Sequence, residues 1–256
     1  MFTGIDHVVV VVEELESAIA SYSRAGFMVV RGGRHPIGTH NALIALADGS
    51  YFELIAFLKP NTGHPWQTAL EKGGGIVDFC MATDNLAADV ESMRRAGAKI
   101  GDPSPLTRER PDGYRLSWVL AIPAPPFSGQ LPFLIKDETP RDERVPRERS
   151  HPNGASGIGT LAIAVNDPAA ISRYYAHVLG RPGAPVNRRD LEAAGVTFTI
   201  GPNEVQLLAS KTENGPLAKW IRDRGQSPFE VVIAIASAAA TALDPALLQG
   251  ARIKFA

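Results

Sequence analysis

The sequence predicts an α+β protein made from one βαβββ module used several times. Three features carry that prediction. The opening segment GIDHVVVVVEELESAIASYSRAGF returns as GIVDFCMATDNLAADVESMRRAGA at a constant offset of 71, which matches Gly4 to Gly75, Leu15 to Leu86 and Gly26 to Gly97. A third copy, GIGTLAIAVNDPAAISRYYAHVLG, and a weaker fourth, SPFEVVIAIASAAATALDPALLQGARI, follow the first two by about 153 residues (His7 to Thr160, Gly97 to Gly250). The third copy slips by one residue near Gly180 and recovers by Gln206, which answers to Glu53. Finally, each copy reads as strand, polar turn and amphipathic helix in the same order.

The elements follow in order. The β-branched run Val8–Val12 reads as the first strand. Glu13-Glu14, like Asp84-Asn85 in the second copy, suits a helix N-terminus. Leu15, Ile19 and Tyr22, and likewise Leu86, Val90 and Met93, keep helical spacing, and Gly26 and Gly97 fit the helix C-terminus. Three strands are then expected at Phe27–Val30, Asn41–Ala47 and Tyr51–Phe57, the last two joined by the hairpin signal Asp48-Gly49. In the second module the corresponding strands are Ala98–Ile100, Arg115–Ile122 and Leu131–Ile135, with the Pro-rich Pro123–Phe127 as a loop.

The run DETPRDERVPRERSHPNGAS is charged, carries three prolines and lacks apolar periodicity, so it reads as a linker laid over the surface. The expected organisation is residues 1–137 as a two-module domain, 138–156 as linker, and 157–256 as a second, diverged and truncated half. Composition fits a globular chain: 256 residues, 45% hydrophobic, 21% charged. A net charge of −1 gives no reason to expect nucleic acid or an anionic membrane as partner. One cysteine, Cys80, rules out an intrachain disulfide, and no signal peptide or spanning segment is read, so the expected location is cytoplasmic.

The segments IDHVVVVV, GGRHPIGTHNALIAL, YFELIAF, RPDGYRLSWVLA and LPFLIKD resemble, in that order, the glyoxalase-like domain family of the vicinal-oxygen-chelate (glyoxalase/bleomycin resistance/dioxygenase) superfamily. The resemblance covers about Phe2 to Pro140. It implies that paired modules form cup-shaped, incomplete barrels, and that a divalent metal on the inner wall chelates vicinal oxygens of a small substrate. It also implies chemistry that ranges from isomerisation to ring-cleaving oxygenation and metal-free sequestration, so the fold alone does not choose the reaction.

His7 on the first strand and Glu53 on the last strand of the same module occupy places where metal-binding members of the superfamily carry ligands. Alternate strand residues share a face, so both side chains can point into one cup. Glu53 interrupts an apolar strand and needs a metal, a cation or a donor. Asp78 holds the place of His7 in the second module, 71 residues on, as a third ligand or as a structural partner. One nitrogen and two carboxylates would suit a divalent ion, with Zn, Mn, Fe and Ni not distinguished. His40 is open as ligand, general base or turn residue, and His35 as substrate contact or solvated loop residue. Arg108 and Arg110, two apart, either grip an anion together or sit on the surface, and Trp118 and Phe133 are candidates to wall a pocket. In the second half Thr160, Gln206 and Val231 answer to His7, Glu53 and Asp78, a poor ligand set.

The expectation is a metal-assisted enzyme in which Glu53 and His40 move protons around a metal-stabilised oxyanion on a small oxygen-rich substrate. The alternatives are a metal-free binding protein and an extradiol-type dioxygenase. No organic cofactor is expected, and a homodimer is an open arrangement.

Overall fold

The computed structural model describes residues 1–236 and 242–256. The first module comprises β1 (Phe2–Val11), α1 (Leu15–Arg24), β2 (Val30–His35), β3 (Thr39–Ala45) and β4 (Tyr51–Phe57). A short helix, α2 (Pro65–Glu71), leads to the second: β5 (Gly75–Thr83), α3 (Leu86–Arg95), β6 (Ser104–Glu109), β7 (Arg115–Ala121) and β8 (Phe133–Asp137). One helical turn, α4 (Arg141–Arg144), precedes the third: β9 (Ala155–Ala164), α5 (Pro168–Leu179), β10 (Ala184–Arg188), β11 (Ala193–Ile200) and β12 (Asn203–Ser210). Then come α6 (Pro216–Arg224), β13 (Ser227–Ile235) and β14 (Ile253–Phe255). The helix that module grammar places after β13 falls partly on residues 237–241, outside the described residues. Among the described residues no helix is long and apolar enough to cross a membrane.

Local chemistry starts and stops the helices as the repeat requires. The Glu14 carboxylate accepts from the amides of Glu16 and Ser17, Asn85 accepts from Ala88 and Asp167 from Ala170. Gly26 and Gly97 end the first two helices at φ +84° and +95°, a backbone that a side chain would strain.

The first two modules form a closed eight-stranded barrel in the order β1-β4-β3-β2-β6-β7-β8-β5. This corrects the expectation of an incomplete barrel. The seam is narrow: β2 and β6 meet through one pair, Arg34 and Glu109. A register shift between Arg31 and Gly33 bends β2 toward β6, and Gly33 makes the approach possible, since a Cβ there would lie 1.9 Å from the Glu109 carbonyl oxygen. Closure also shifts strands from their expected places. β2 begins where Phe27–Val30 was expected to end, and Ala98–Ile100 yields only an isolated bridge from Ile100 to Pro123.

The remaining modules form an open six-stranded sheet, β10-β11-β12-β9-β13-β14. Inside the barrel Val9, Val11, Ile55, Leu116, Trp118 and Phe133 pack together. Outside, Val8, Val10, Phe52, Leu54 and Phe79 share one cluster with Tyr22 and Met93 of the helices and with Leu161, Tyr175, Leu207 and Ile233 of the second half. Strand parity thus sends alternate residues to two different cores. Nor does the segment after Asp137 merely lie over the surface, because Arg144, Val145 and His151 are buried.

Candidate functional site

A cavity of about 320 Å³ occupies the barrel interior. Ile55, Leu106, Trp118, Leu120, Phe133 and Ile135 make its apolar wall, His64 and Trp66 at the start of α2 stand at one side, and a polar group that includes His7, His35, Tyr51, Glu53 and Arg108 adjoins it.

β1 delivers His7 at 3% exposure. Its ring stacks on Tyr51 at 4.6 Å, meets Phe133 edge to face at 5.2 Å, and bonds through Nδ1 to Asp6 Oδ1 at 2.7 Å. Its Nε2 faces Glu53 Oε2 at 3.6 Å. β4 delivers Glu53, whose Oε1 accepts from Asn41 Nδ2 at 2.6 Å and lies 3.9 Å from His35 Nε2. Burial pushes the Glu53 carboxyl up, but His7, His35, Asn41 and Arg108 outweigh it and hold the group below its ordinary value. His35 bonds Thr39 through Nδ1, and burial pulls it down to about 4, so the ring is neutral near pH 7.

Behind His7 lies a buried ionic core. Burial disfavours the Asp6 carboxylate, yet Arg144, His7 and Arg141 hold it well below the usual range. Arg144, 2% exposed, donates to both Asp6 oxygens at 3.0 and 3.1 Å, to the Tyr51 hydroxyl at 2.6 Å and to Asp137 at 2.9 Å. Arg141 also pairs with Asp6. Cys80, paired with His7 across β1 and β5, completes the group. The donor atoms of Asp6, His7 and Cys80 lie within 4.8 Å of one another, a buried cluster capable of coordinating a divalent metal ion. Burial, with Asp6 nearby, pushes the Cys80 thiol well up.

The expected site residues divide. The structure brings His7, His35, Glu53, Asp78, Arg108, Trp118 and Phe133 to one cavity. Asp78 sits opposite Val9 rather than His7 and is not part of the three-donor cluster. Burial raises its carboxyl to about 7, against the Phe79 amide and the Trp66 side chain, which favour the charged form. His40 and Arg110 are not brought there. His40, between inward Thr39 and Asn41 on β3, borders a different surface hollow with Glu16 and Arg34. Arg110 lies beyond the end of β6, pairs with Asp112 and Glu143, and meets Arg108 only at a separate surface hollow.

Asp6, Tyr51, Cys80 and Arg144 went unread. A register shift between Ile5 and His7 breaks parity, so Asp6 and His7 are both buried although adjacent. The available signal was the Asp-His pair in an apolar strand. Arg144 carried none, because charge in a Pro-rich stretch reads as surface.

The second sheet repeats the pattern with other residues. Gln206 and Glu230 flank Ala162 as Glu53 and Asp78 flank Val9. Glu230, not Val231, therefore answers to Asp78, because a bulge displaces the count by one. Arg188 bonds Gln206 at 3.1 Å and Glu230 at 2.8 Å, so these polar groups satisfy one another.

No curated protein matches the sequence. Among solved structures the chain is similar to a hypothetical protein from Staphylococcus aureus, with TM-score 0.71, 15% identity and 98% of both chains covered. It is similar to a mutant of 4-hydroxymandelate synthase from Streptomyces coelicolor, with TM-score 0.63, 14% identity, and 93% of this chain and 72% of that one covered. A fusion of a xylose isomerase-like TIM barrel with 4-hydroxyphenylpyruvate dioxygenase matches with TM-score 0.56 and 14% identity over 93% of this chain and 37% of that one. At these identities the likeness concerns fold. In sequence, the profile of the glyoxalase-like domain matches residues 5–179, most of the chain, and with the barrel of paired βαβββ modules it shows that this protein belongs to the glyoxalase-like domain family of the vicinal-oxygen-chelate superfamily.

Proposed function

We propose that the chain is a metal-assisted enzyme acting on a small oxygen-bearing molecule inside the barrel, with the ion held between His7 Nε2 and Glu53. One observation carries this reading: the two atoms face each other at 3.6 Å. Asp6, kept ionised, accepts a hydrogen bond from His7 Nδ1–H, and in that tautomer the neutral ring turns the Nε2 lone pair toward a carboxylate. Two acceptors so placed call for a cation or a proton between them. Ligands about 2.1 Å from one ion lie roughly 3.0–3.6 Å apart at ordinary angles, so the spacing fits a metal. The Asp6 side of the ring is less suited, because His7, Arg144 and Arg141 already occupy the Asp6 oxygens.

A divalent ion there supplies Lewis acidity toward a substrate oxygen. The chain supplies the rest. Asp6 and Tyr51 fix the imidazole, Asn41 turns one Glu53 oxygen away and leaves the other facing His7, and the apolar wall offers water few hydrogen-bond partners. Asp78, the other carboxyl on the cavity, is suited to hold or release a proton.

An oxygen-dependent reaction is the better supported chemistry. His7, His35 and Glu53 put two imidazoles and a carboxylate on one side of the cavity, donor types that suit non-haem iron, with His7 and His35 facing different Glu53 oxygens and His35 needing to move to share an ion. The synthase and dioxygenase named among the fold neighbours agree with that choice. Proton transfer by Asp78 without oxygen is the second reading.

Elemental analysis of freshly purified protein tests the proposal. Wild type should carry about one equivalent of divalent metal. Glu53→Gln should lose it and Cys80→Ala should keep it. The reverse pattern would move the ion to the Asp6, His7 and Cys80 cluster. Metal-free wild type that binds apolar ligands in chelator would support sequestration instead. Oxygen uptake by iron-loaded protein separates the two chemistries.

A further inference from the structure

We propose that the barrel takes an anionic substrate, a carboxylate on an apolar or aromatic body, and that Arg108 binds the carboxylate. The proposal rests on reading the barrel as a small-molecule site, but it does not depend on the metal. Arg108 borders the cavity at 3% exposure. Among the described residues its one hydrogen bond runs from Nη2 to the Arg144 carbonyl at 2.9 Å, and its Nε has no partner. No described carboxylate approaches it within 4.0 Å. The other deeply buried guanidinium, Arg144, holds Asp6 and Asp137. Glu53 acts on this guanidinium only from beyond ion-pair distance, and a buried cation with no carboxylate in contact is costly, so its persistence beside an open cavity points to an anion supplied from outside.

The surroundings choose the kind of anion. One guanidinium offers a pair of parallel donors, which matches a carboxylate, whereas a dianionic phosphate asks for more donors than this wall provides. The rest of the wall is Leu106, Trp118, Leu120 and Ile135, and Ile37 and Ile122, each more than half exposed, continue it outward. Such a surface suits a ring or branched chain.

Calorimetric titration with 3-phenylpropionate, its amide and phenyl phosphate tests the assignment, in chelator and again with Mn²⁺. Wild type should bind the acid at least about tenfold more tightly than the amide under both conditions. Arg108→Gln should reduce that preference to about threefold or less while its metal content stays at the wild-type level. Wild type that fails to bind the acid, or does not favour it over the amide, overturns the proposal without any variant. So does a preference for phenyl phosphate, one that survives Arg108→Gln, or one that appears only with metal. Metal-free wild type that keeps the acid preference would count against the metal and leave the anchor standing.

Discussion

Asp78 shows most directly how burial sets chemistry at a single residue. In the folded chain its carboxyl titrates near pH 7, against 3.8 for an ordinary aspartate. Below about pH 4 both folded and unfolded chains carry the proton, and burial has no charge to oppose. Between pH 4 and 7 the unfolded chain ionises while the folded one resists, so Asp78 increasingly favours unfolding, and above pH 7 the cost levels off on the order of 4 kcal/mol. Asp78→Asn should therefore stabilise the metal-free protein by that order at pH 8 and by little at pH 4. Urea denaturation at both values checks this, and an equal effect at the two would contradict it. Arg144 is the opposite case, a buried charge with all its partners. Arg144→Met leaves Asp6 with His7 and Arg141 and Asp137 with only the more distant Arg141, and should cost about 3–5 kcal/mol in the same assay. The two residues differ equally in legibility. Asp78 stood out as an acid in an apolar strand, whereas nothing in a charged, proline-containing stretch marks one arginine as the buried one.

At the scale of elements, legibility followed the strength of local signals. Tyr51–Phe57 forms β4 over the expected residues, and the first helices start at their polar caps, because apolar periodicity and capping act within a few residues. β6 was missed for a physical reason. Ser104–Glu109 is polar and contains Pro105, and such a strand exists here because β7 pairs all of it while β2 meets only Glu109. Bulges defeat residue counting at Asp6 and Glu230, since each moves one residue to the opposite face. Closure of the barrel depends on tertiary approach rather than on any run of sequence, and Gly33 is where it concentrates. Its φ of +147° and its contact with the Glu109 carbonyl leave no room for a side chain. Gly33→Ala should cost about 2–4 kcal/mol. Amide hydrogen exchange should quicken at Arg34 and Glu109 ahead of the other strands. Unchanged protection along the seam would mean that this glycine does not govern closure.

For the molecule as a whole, the repeat pointed to recurring βαβββ-like modules but not to how the barrel and the open sheet meet. One apolar cluster runs from the barrel's outer face through the helices into the open sheet. Polar contacts cross the same boundary: Tyr22 donates to the Leu248 carbonyl at 2.9 Å, Tyr175 to that of Gln130 at 3.0 Å, and Asn203 accepts from the Ile5 amide at 2.6 Å. Separating the halves would expose the outer faces of β1, β4 and β5 to water, so the barrel and the open sheet should lose structure together. The three tryptophans allow a test, because Trp66 and Trp118 line the barrel cavity while Trp220 packs on Phe229 in the second half. A variant that keeps only Trp118 reports the barrel, and one that keeps only Trp220 reports the open sheet. In each, the fluorescence transition in urea should coincide with that of far-ultraviolet circular dichroism. A Trp220 signal that melts well before the dichroism would mean that the second half unfolds on its own. The seam between halves would then contribute little, and the ionic core behind His7 would depend on the barrel and α4 alone.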